Sequence, residues 1–419
     1  MNKVSVVALV LFSYTVIGVG TIGKAMLTPF HLVMGILLVV YALYVEKKNI
    51  QLFLSLLLLM GYMIFNNILN YPIRFTSLTY SIIYGLELIV LYNLLRHCSK
   101  DLIKKAFYFI IASYGVNIVI GFLLIKLGLK IPVLEIVIGI VRNESGVRAM
   151  GFSSEPSYAS FIISVAYLAY NTINDHEFNK QTAYLSAIYF IPLLLLGSAY
   201  GLMFGVVTLI DWAWIYYKRM SPALRQLFPL LGIIIVYFGY NFVMQSKNEA
   251  VERIESLAET LNDPYSTVEK KLAKLQEDDP SAFARIAPTY LLIQQAEDED
   301  FSLWMGAGAG TAGVVIPAFF QGVLIDDDDG DFDVGIMPSF IYDYGLIGLM
   351  LLLVFFIISF RNLPFPFWLF LILVAPNAGI NTQMLWFVLT SFVMVSTMKS
   401  NESFFSKRNQ ISNNEMIKI

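Results

Sequence analysis

The chain is a succession of apolar runs, each long enough to cross the hydrocarbon of a bilayer and most followed within a few residues by the next. Runs of about 17 to 23 residues occur near 4–20, 25–45, 50–69, 76–95, 105–125, 156–173, 182–197, 199–217, 227–244, 338–360, 364–380 and 382–398. In lipid such a run has one stable form, a helix whose backbone groups pair internally. The pattern predicts an all-α polytopic membrane protein of about twelve transmembrane helices. The closely spaced pairs at 182–217 and 364–398 read equally as full crossings or as re-entrant pairs. Composition agrees: 14% of residues are charged, where soluble domains carry about 25%. The first run follows Lys3 but is longer than a signal-peptide core and lacks a small-x-small cleavage pattern, so it reads as an uncleaved first helix.

Lys and Arg in short loops set the orientation. Basic clusters at 46–48, 96–105, 216–225 and 406–410 alternate with basic-poor loops around 21–24, 70–75 and 377–381. Both termini are therefore expected in the cytoplasm. This divides the chain into helices one to nine over 1–244, with an outer loop at 126–155; a large extracytoplasmic loop at 245–337; helices ten to twelve over 338–398; and a cytoplasmic tail at 399–419. No internal repeat and no matched pair of Gly/Pro-broken spans of the transporter kind is visible.

A net charge of −3 leaves no basic excess for nucleic acid. One cysteine, Cys98, and three scattered histidines make no zinc ligand set, so neither a metal nor a cofactor is expected. The acidic run 326–333 fails the EF-hand template, because Ile325 and Ile336 fall on the first and closing ligand positions, and it reads as a solvated face. In the large loop, Val251, Ile254, Leu257 and Leu261, then Val268, Leu272 and Leu275, recur at helical spacing and predict two amphipathic helices. They serve either as a cap on the membrane domain or in handling a substrate. Beyond them stand Arg285 and a glycine cluster, Gly306, Gly308, Gly310 and Gly313. Such glycines allow N–H groups to converge on an anion, although a turn packed on the membrane helices explains them equally.

The segment 142–161, "RNESGVRAMGFSSEPSYASF", places Arg142, Glu144, Arg148 and Glu155 at the entry of an apolar helix. Pro156 behind Ser153, Ser154 or Glu155 is ordinary helix-start chemistry. That chemistry leaves Arg142 and Arg148 unexplained, since they add positive charge where a helix end is already positive. Two guanidinium groups beside a helix N-terminus suit an anion.

With "AR" (284–285), "GAGAG" (306–310) and "MPSFIYDYGLIGLMLLL" (337–353), the stretch "RAMGFSSEPSYAS" (148–160) resembles the bacterial O-antigen polymerase and ligase family, specifically the Wzy-type polysaccharide repeat-unit polymerases. The resemblance implies a C-type glycosyltransferase-like helical fold. It also implies transfer of a growing glycan from an undecaprenyl diphosphate carrier to another lipid-linked repeat unit, at the outer face of the bacterial cytoplasmic membrane. Ligases of this family tend to carry histidine before the late span. "MPSFIYDYG" has none, and His31, His97 and His176 fall in the second span or on predicted cytoplasmic loops, which favours polymerase over ligase.

A sugar diphosphate already has a good leaving group, so the chemistry needs charge stabilisation on the diphosphate more than a covalent adduct. Arg142, Arg148 and Arg285, with Gly306 and Gly308, are the expected diphosphate-binding residues. Glu155 is the expected base for the attacking hydroxyl, with Tyr158 and Asp343 in reserve. The expected partners are lipid-linked donor and acceptor glycans, the bilayer and a chain-length regulator. Glu87 and Asp211 are further candidates as intramembrane acids, Asp211 lying near a cytoplasmic end within reach of water. The rival of another class is a flippase for the same lipid-linked sugars, which would carry ionisable groups along a path through the spans.

Overall fold

The computed structural model describes residues 2–15, 20–22, 25–27, 31, 34, 50–70, 75–130, 140–143, 146–153, 155–222, 225–226, 258–260, 262–263, 266–278, 283, 302–312, 336–376 and 378–416. In order these form α1 (Asn2–Ser13), the strands β1 (Gly20–Ile22) and β2 (Ala25–Leu27), α2 (Ile50–Asn70), α3 (Phe75–Leu95) and α4 (Lys100–Lys126). There follow β3 (Ile140–Asn143), β4 (Gly146–Ala149), α5 (Pro156–Ile173), α6 (Lys180–Leu195), α7 (Ala199–Arg219), α8 (Val268–Asp278), α9 (Ile336–Phe360), α10 (Phe365–Val374) and α11 (Gln383–Met416). Among the described residues the fold is helical apart from two short antiparallel hairpins, β1–β2 and β3–β4, which the all-α expectation did not include.

Four described helices are long and apolar enough to cross a membrane: Gln51–Asn70, Ser77–Leu95, Lys100–Lys126 and Ser339–Phe360. Several other expected spans are shorter. α1 stops at Ser13, and residues 25–27 form a strand where the second span was expected to begin. α6 has 16 residues and α10 has 10, which is ~24 Å and ~15 Å of helix against a hydrocarbon of about 30 Å. The run 227–244 lies outside the described residues, as does most of 25–45. In the large loop the second expected amphipathic helix is present as α8. Thr267 caps it, and Leu272 and Leu275 are buried one turn apart while Val268 faces out.

Burial explains why some expected spans are less apolar than others. α5 is buried from Ser157 to Ile173 and packs on α4, α6, α7 and α11. Surrounded by protein, it can carry Ser160, Ser164, Tyr167 and Asn171, whose polar atoms would be costly against lipid. α2 and α9 pack on each other and turn Leu54, Leu58 and Phe65, and Leu353 and Ile357, outward. Close approach between α4 and α6 depends on Gly115, where a Cβ would lie 2.7 Å from the Ile188 carbonyl oxygen.

Short connections decide which ends meet. Only residues 71–74 separate α2 from α3, and only 96–99 separate α3 from α4, so the three run antiparallel. The ends of α2 and α4 and the start of α3 therefore share one side of the bundle. α4 and α5 are antiparallel too: Lys100 pairs with Asp175 beyond the end of α5, and Tyr114 meets Phe152 and Ser153 before its start. α4 continues from Ile118, which packs on Gly151, to Lys126. It thus overruns the start of α5 by ~12 Å.

α1 ends inside the protein, and its last carbonyls find side chains in place of water. Phe12 O accepts from Gln383 Nε2 at 2.9 Å, and Ser13 O accepts from the buried Tyr114 hydroxyl. Thr15 N then donates to Phe152 O at 3.1 Å. Removing one donor leaves a buried carbonyl unmatched, at about 1–3 kcal/mol. Gln383→Leu and Tyr114→Phe should each lower the unfolding free energy of purified protein in detergent by that amount, whereas Leu58→Phe on the outward face of α2 should not.

Candidate functional site

The expected site residues begin in the β3–β4 hairpin. Its register pairs Arg142 with Val147 and Val141 with Arg148, so the arginines belong to adjacent cross-strand pairs, which alternate between the two faces of the ribbon. The chain then turns at Gly151 (φ +65°), whose α-carbon lies so close to the Tyr114 ring that a Cβ would sit 3.0 Å from it. Phe152 O and Ser153 Oγ both lie 3.2 Å from the Tyr114 hydroxyl. The segment leading from Arg148 into α5 is therefore anchored to α1 and α4. Glu144 and Ser154 are outside the described residues.

α5 starts without a side-chain cap. Glu155 holds the N-cap position in extended conformation (φ −143°, ψ 153°) with Pro156 behind it, but its carboxylate makes no capping hydrogen bond. It accepts instead from Ser157 Oγ at 2.9 Å and is exposed. Ser153, one of the expected caps, is buried against Tyr114. By contrast Ser99, Asn179 and Ser198 all cap their helices. The positive end of α5 thus keeps its N–H groups unmatched by the residue best placed to take them. Tyr158 is buried, its ring stacked on Phe161, and does not stand open at this mouth.

Of the two readings open to the glycine cluster, the structure has the turn packed on the membrane helices. Residues 302–312 dock on a break in α9, where Gly345 adopts φ +67°, ψ −173°. The break frees backbone groups that the loop takes up: Leu346 N donates to Leu303 O at 2.9 Å and Ile347 N to Trp304 O at 3.2 Å. In return Ala307 N donates to Tyr342 O and Gly308 N to Asp343 O, both at 2.8 Å, while Gly306 N turns back on Ser302 O at 2.6 Å. The Gly306 and Gly308 N–H groups are therefore donated within the protein and do not face an anion in this arrangement. Asp343 completes the joint, its carboxylate accepting from Gly310 N and Ala312 N, both at 2.8 Å. A carboxylate that accepts from two backbone donors anchors the loop to α9. A diphosphate beside it would meet its negative charge.

α2 closes the joint from the other side. The Tyr62 hydroxyl donates to Tyr344 O at 2.8 Å, Asn66 Nδ2 to Met305 O, and Asn70 Nδ2 to Gly306 O at 3.3 Å. Asn67 Oδ1 accepts from Ala309 N at 3.2 Å. Because these asparagines lie at the end of α2, the glycine loop stands on the same side of the bundle as the start of α5. Arg285 lies outside the described residues.

Two buried pairs went unread in the sequence. Glu87 in α3 lies 3.2 Å from His31 Nδ1, and Asp211 in α7 lies 2.6 Å from His176 Nε2. Asp211 is 0% exposed, so it does not reach water as its position near a helix end suggested. The turn carrying His176 is held in left-handed backbone at Asp175 and His176 (φ +52° and +53°). Arg219 fixes it through Asp175 O at 2.7 Å, and Lys100 through the Asp175 carboxylate at 2.9 Å. The acids were legible by their cost in a membrane. Their histidine partners, 56 and 35 residues away, were not. Cys98, buried between α3 and α4, has its thiol pushed up by that burial and makes a poor nucleophile. Among the described residues no group of three or more His, Cys, Asp or Glu side chains could hold a metal ion.

Asp343→Asn keeps one acceptor but turns an amide N–H toward a backbone N–H, so it should destabilise the protein by about 1.5–3 kcal/mol and expose 302–312 to protease. Loss of activity with unchanged stability would instead mark Asp343 as a chemical group. Gly345→Ala should cost about 1–3 kcal/mol from its backbone angle alone, and more because a Cβ there would overlap the Trp304 carbonyl. Gly61→Ala, where a Cβ meets nothing within 4 Å, is the near-neutral control; thermal unfolding in detergent compares the two. No protein-family model matches the chain, and no curated protein matches it.

Proposed function

We propose that this protein is a glycosyltransferase that polymerises undecaprenyl diphosphate-linked repeat units into a cell-surface polysaccharide, at the outer face of the bacterial cytoplasmic membrane. One observation carries the reading. The central helix α5 opens without a side-chain cap, behind an anchored turn, directly after the hairpin that bears Arg142 and Arg148. α4 stands past that opening as a wall of ~12 Å, so a lipid-borne diphosphate rising from the bilayer would meet the positive helix end in a sheltered position.

In this reading Arg285 comes in from the large loop, and the three guanidinium groups hold the diphosphate. The acceptor hydroxyl attacks the anomeric carbon, a new glycosidic C–O bond forms, and the bond to the diphosphate breaks. Undecaprenyl diphosphate leaves with the electron pair, and the hydroxyl proton passes to Glu155. Charge builds on the leaving diphosphate, where each positioned donor is worth roughly 3–4 kcal/mol of barrier. The 302–312 loop belongs to the scaffold in this scheme, since its glycine N–H groups are already committed. A chain-length regulator is the protein partner this activity would need, and an O-antigen ligase would use the same donor with a different acceptor.

A second reading has support of its own. The flippase alternative calls for ionisable groups within the spans, and the Glu87–His31 and Asp211–His176 pairs are such groups. Purified protein given diphosphate-linked repeat units separates the readings. Longer lipid-linked glycan means polymerase, transfer to a separate lipid core means ligase, and movement across vesicles with no new bond means flippase. For the polymerase, Arg148→Ala and Arg285→Ala should each slow chain extension by about 10²- to 10³-fold with the protein still in the membrane. Glu155→Gln extending glycan at the full rate would remove Glu155 as the base.

A further inference from the structure

We propose that Glu87 and His31 form a proton-binding site within the membrane domain. The proposal does not depend on which transfer or transport reaction the protein performs. Glu87 lies midway along α3, in a span that needs no charge for insertion, and is 3% exposed. Its Oε1 lies 3.2 Å from His31 Nδ1, while its Oε2 is buried without a hydrogen-bond partner. A carboxylate with one bare oxygen in a dry interior is costly unless a proton is close. The pair can hold that proton on the imidazole, as an ion pair, or on the carboxyl, with both groups neutral. The second state separates no charge in a low dielectric and leaves no bare carboxylate.

Tyr80, Tyr84 and Glu87 recur at i, i+4 and i+7 and so share one face of α3. The Tyr80 and Tyr84 rings stack at 6.0 Å, and the Tyr84 ring lies 5.6 Å from His31. The pair therefore lies beside a tyrosine ring, and Leu88, Leu91, Leu94 and Leu95 further along α3 are buried. Among the described residues, the titratable groups acting in this neighbourhood are His31, Tyr84 and, through it, Tyr80. Of the described helices packed on α3, α1 carries only Lys3 at its far start. α2 carries only Tyr62, which is bound to the α9 break. α11 has no charged residue before Lys399.

Dicyclohexylcarbodiimide, an apolar reagent that adds to protonated carboxyls, provides the test. The full-length protein in lipid nanodiscs is treated across a pH series and the adduct is located by peptide mass spectrometry. Glu87 should be labelled at mildly acidic pH, with labelling falling about tenfold per pH unit above its midpoint. His31→Gln removes the alternative proton carrier, so labelling of Glu87 should persist to higher pH. A water-soluble carbodiimide should leave Glu87 unmodified. Wild-type protein in which exposed carboxyls react but Glu87 never does, or reacts equally at every pH, would overturn the proposal and leave a purely structural pair.

Discussion

Backbone hydrogen bonding in the absence of water governs this structure. A helix that stops or breaks inside a membrane bundle releases N–H and C=O groups which lipid cannot satisfy. Among the described residues, the end of α1 and Gly345 in α9 are two such places. At each the chain supplies partners from remote segments: Gln383 and Tyr114 for α1, and residues 303–308 with Tyr62 for α9. Tyr114 serves two purposes, since the hydroxyl that meets Ser13 O also meets the 152–153 turn. The position of the turn before α5, and so of the residues entering from the hairpin, follows from the way α1 is terminated.

The glycine loop obeys the same constraint. Gly306 and Gly345 lie backbone to backbone, with space for no side chain on either, and both have left-handed angles open to glycine at little cost. Such contact lets peptide groups of one segment replace the missing helical partners of the other. Asp343 extends the arrangement with a charge-assisted clamp that is stronger than a neutral bond. This accounts for four positive-φ glycines within two segments, three in the loop and one in the helix, without any ligand.

Much of the membrane architecture was legible because lipid imposes a simple rule on length and polarity. The spans of α2, α3, α4 and α9 follow apolar runs almost residue for residue. Where the rule failed, a buried polar contact had replaced it. The run 4–20 reads as one helix because hydropathy cannot tell a helix from a buried turn whose carbonyls are met by Tyr114. The run 338–360 hides its break because a single glycine in an apolar helix is common, and its partner loop lies more than thirty residues upstream. The charges of 148–160 mark it as a candidate site in the sequence. That Ser153 would turn to Tyr114 and leave α5 uncapped depends on a tyrosine about forty residues away. The glycines were read for their flexibility, which was sound, but flexibility does not say which acceptor the N–H groups will find.

The placement of charge is consistent with these demands. Glu87 and Asp211, buried within their helices, pair with histidine rather than with lysine or arginine. An arginine beside Glu87 would fix a charge pair permanently in the apolar interior, since guanidinium does not give up its proton there. Imidazole can return its proton to the carboxylate and leave two neutral groups, which greatly lowers the desolvation cost. The same choice that makes the acid tolerable makes it able to change protonation, so an acid–histidine pair in a span has a chemical freedom that an acid–arginine pair lacks.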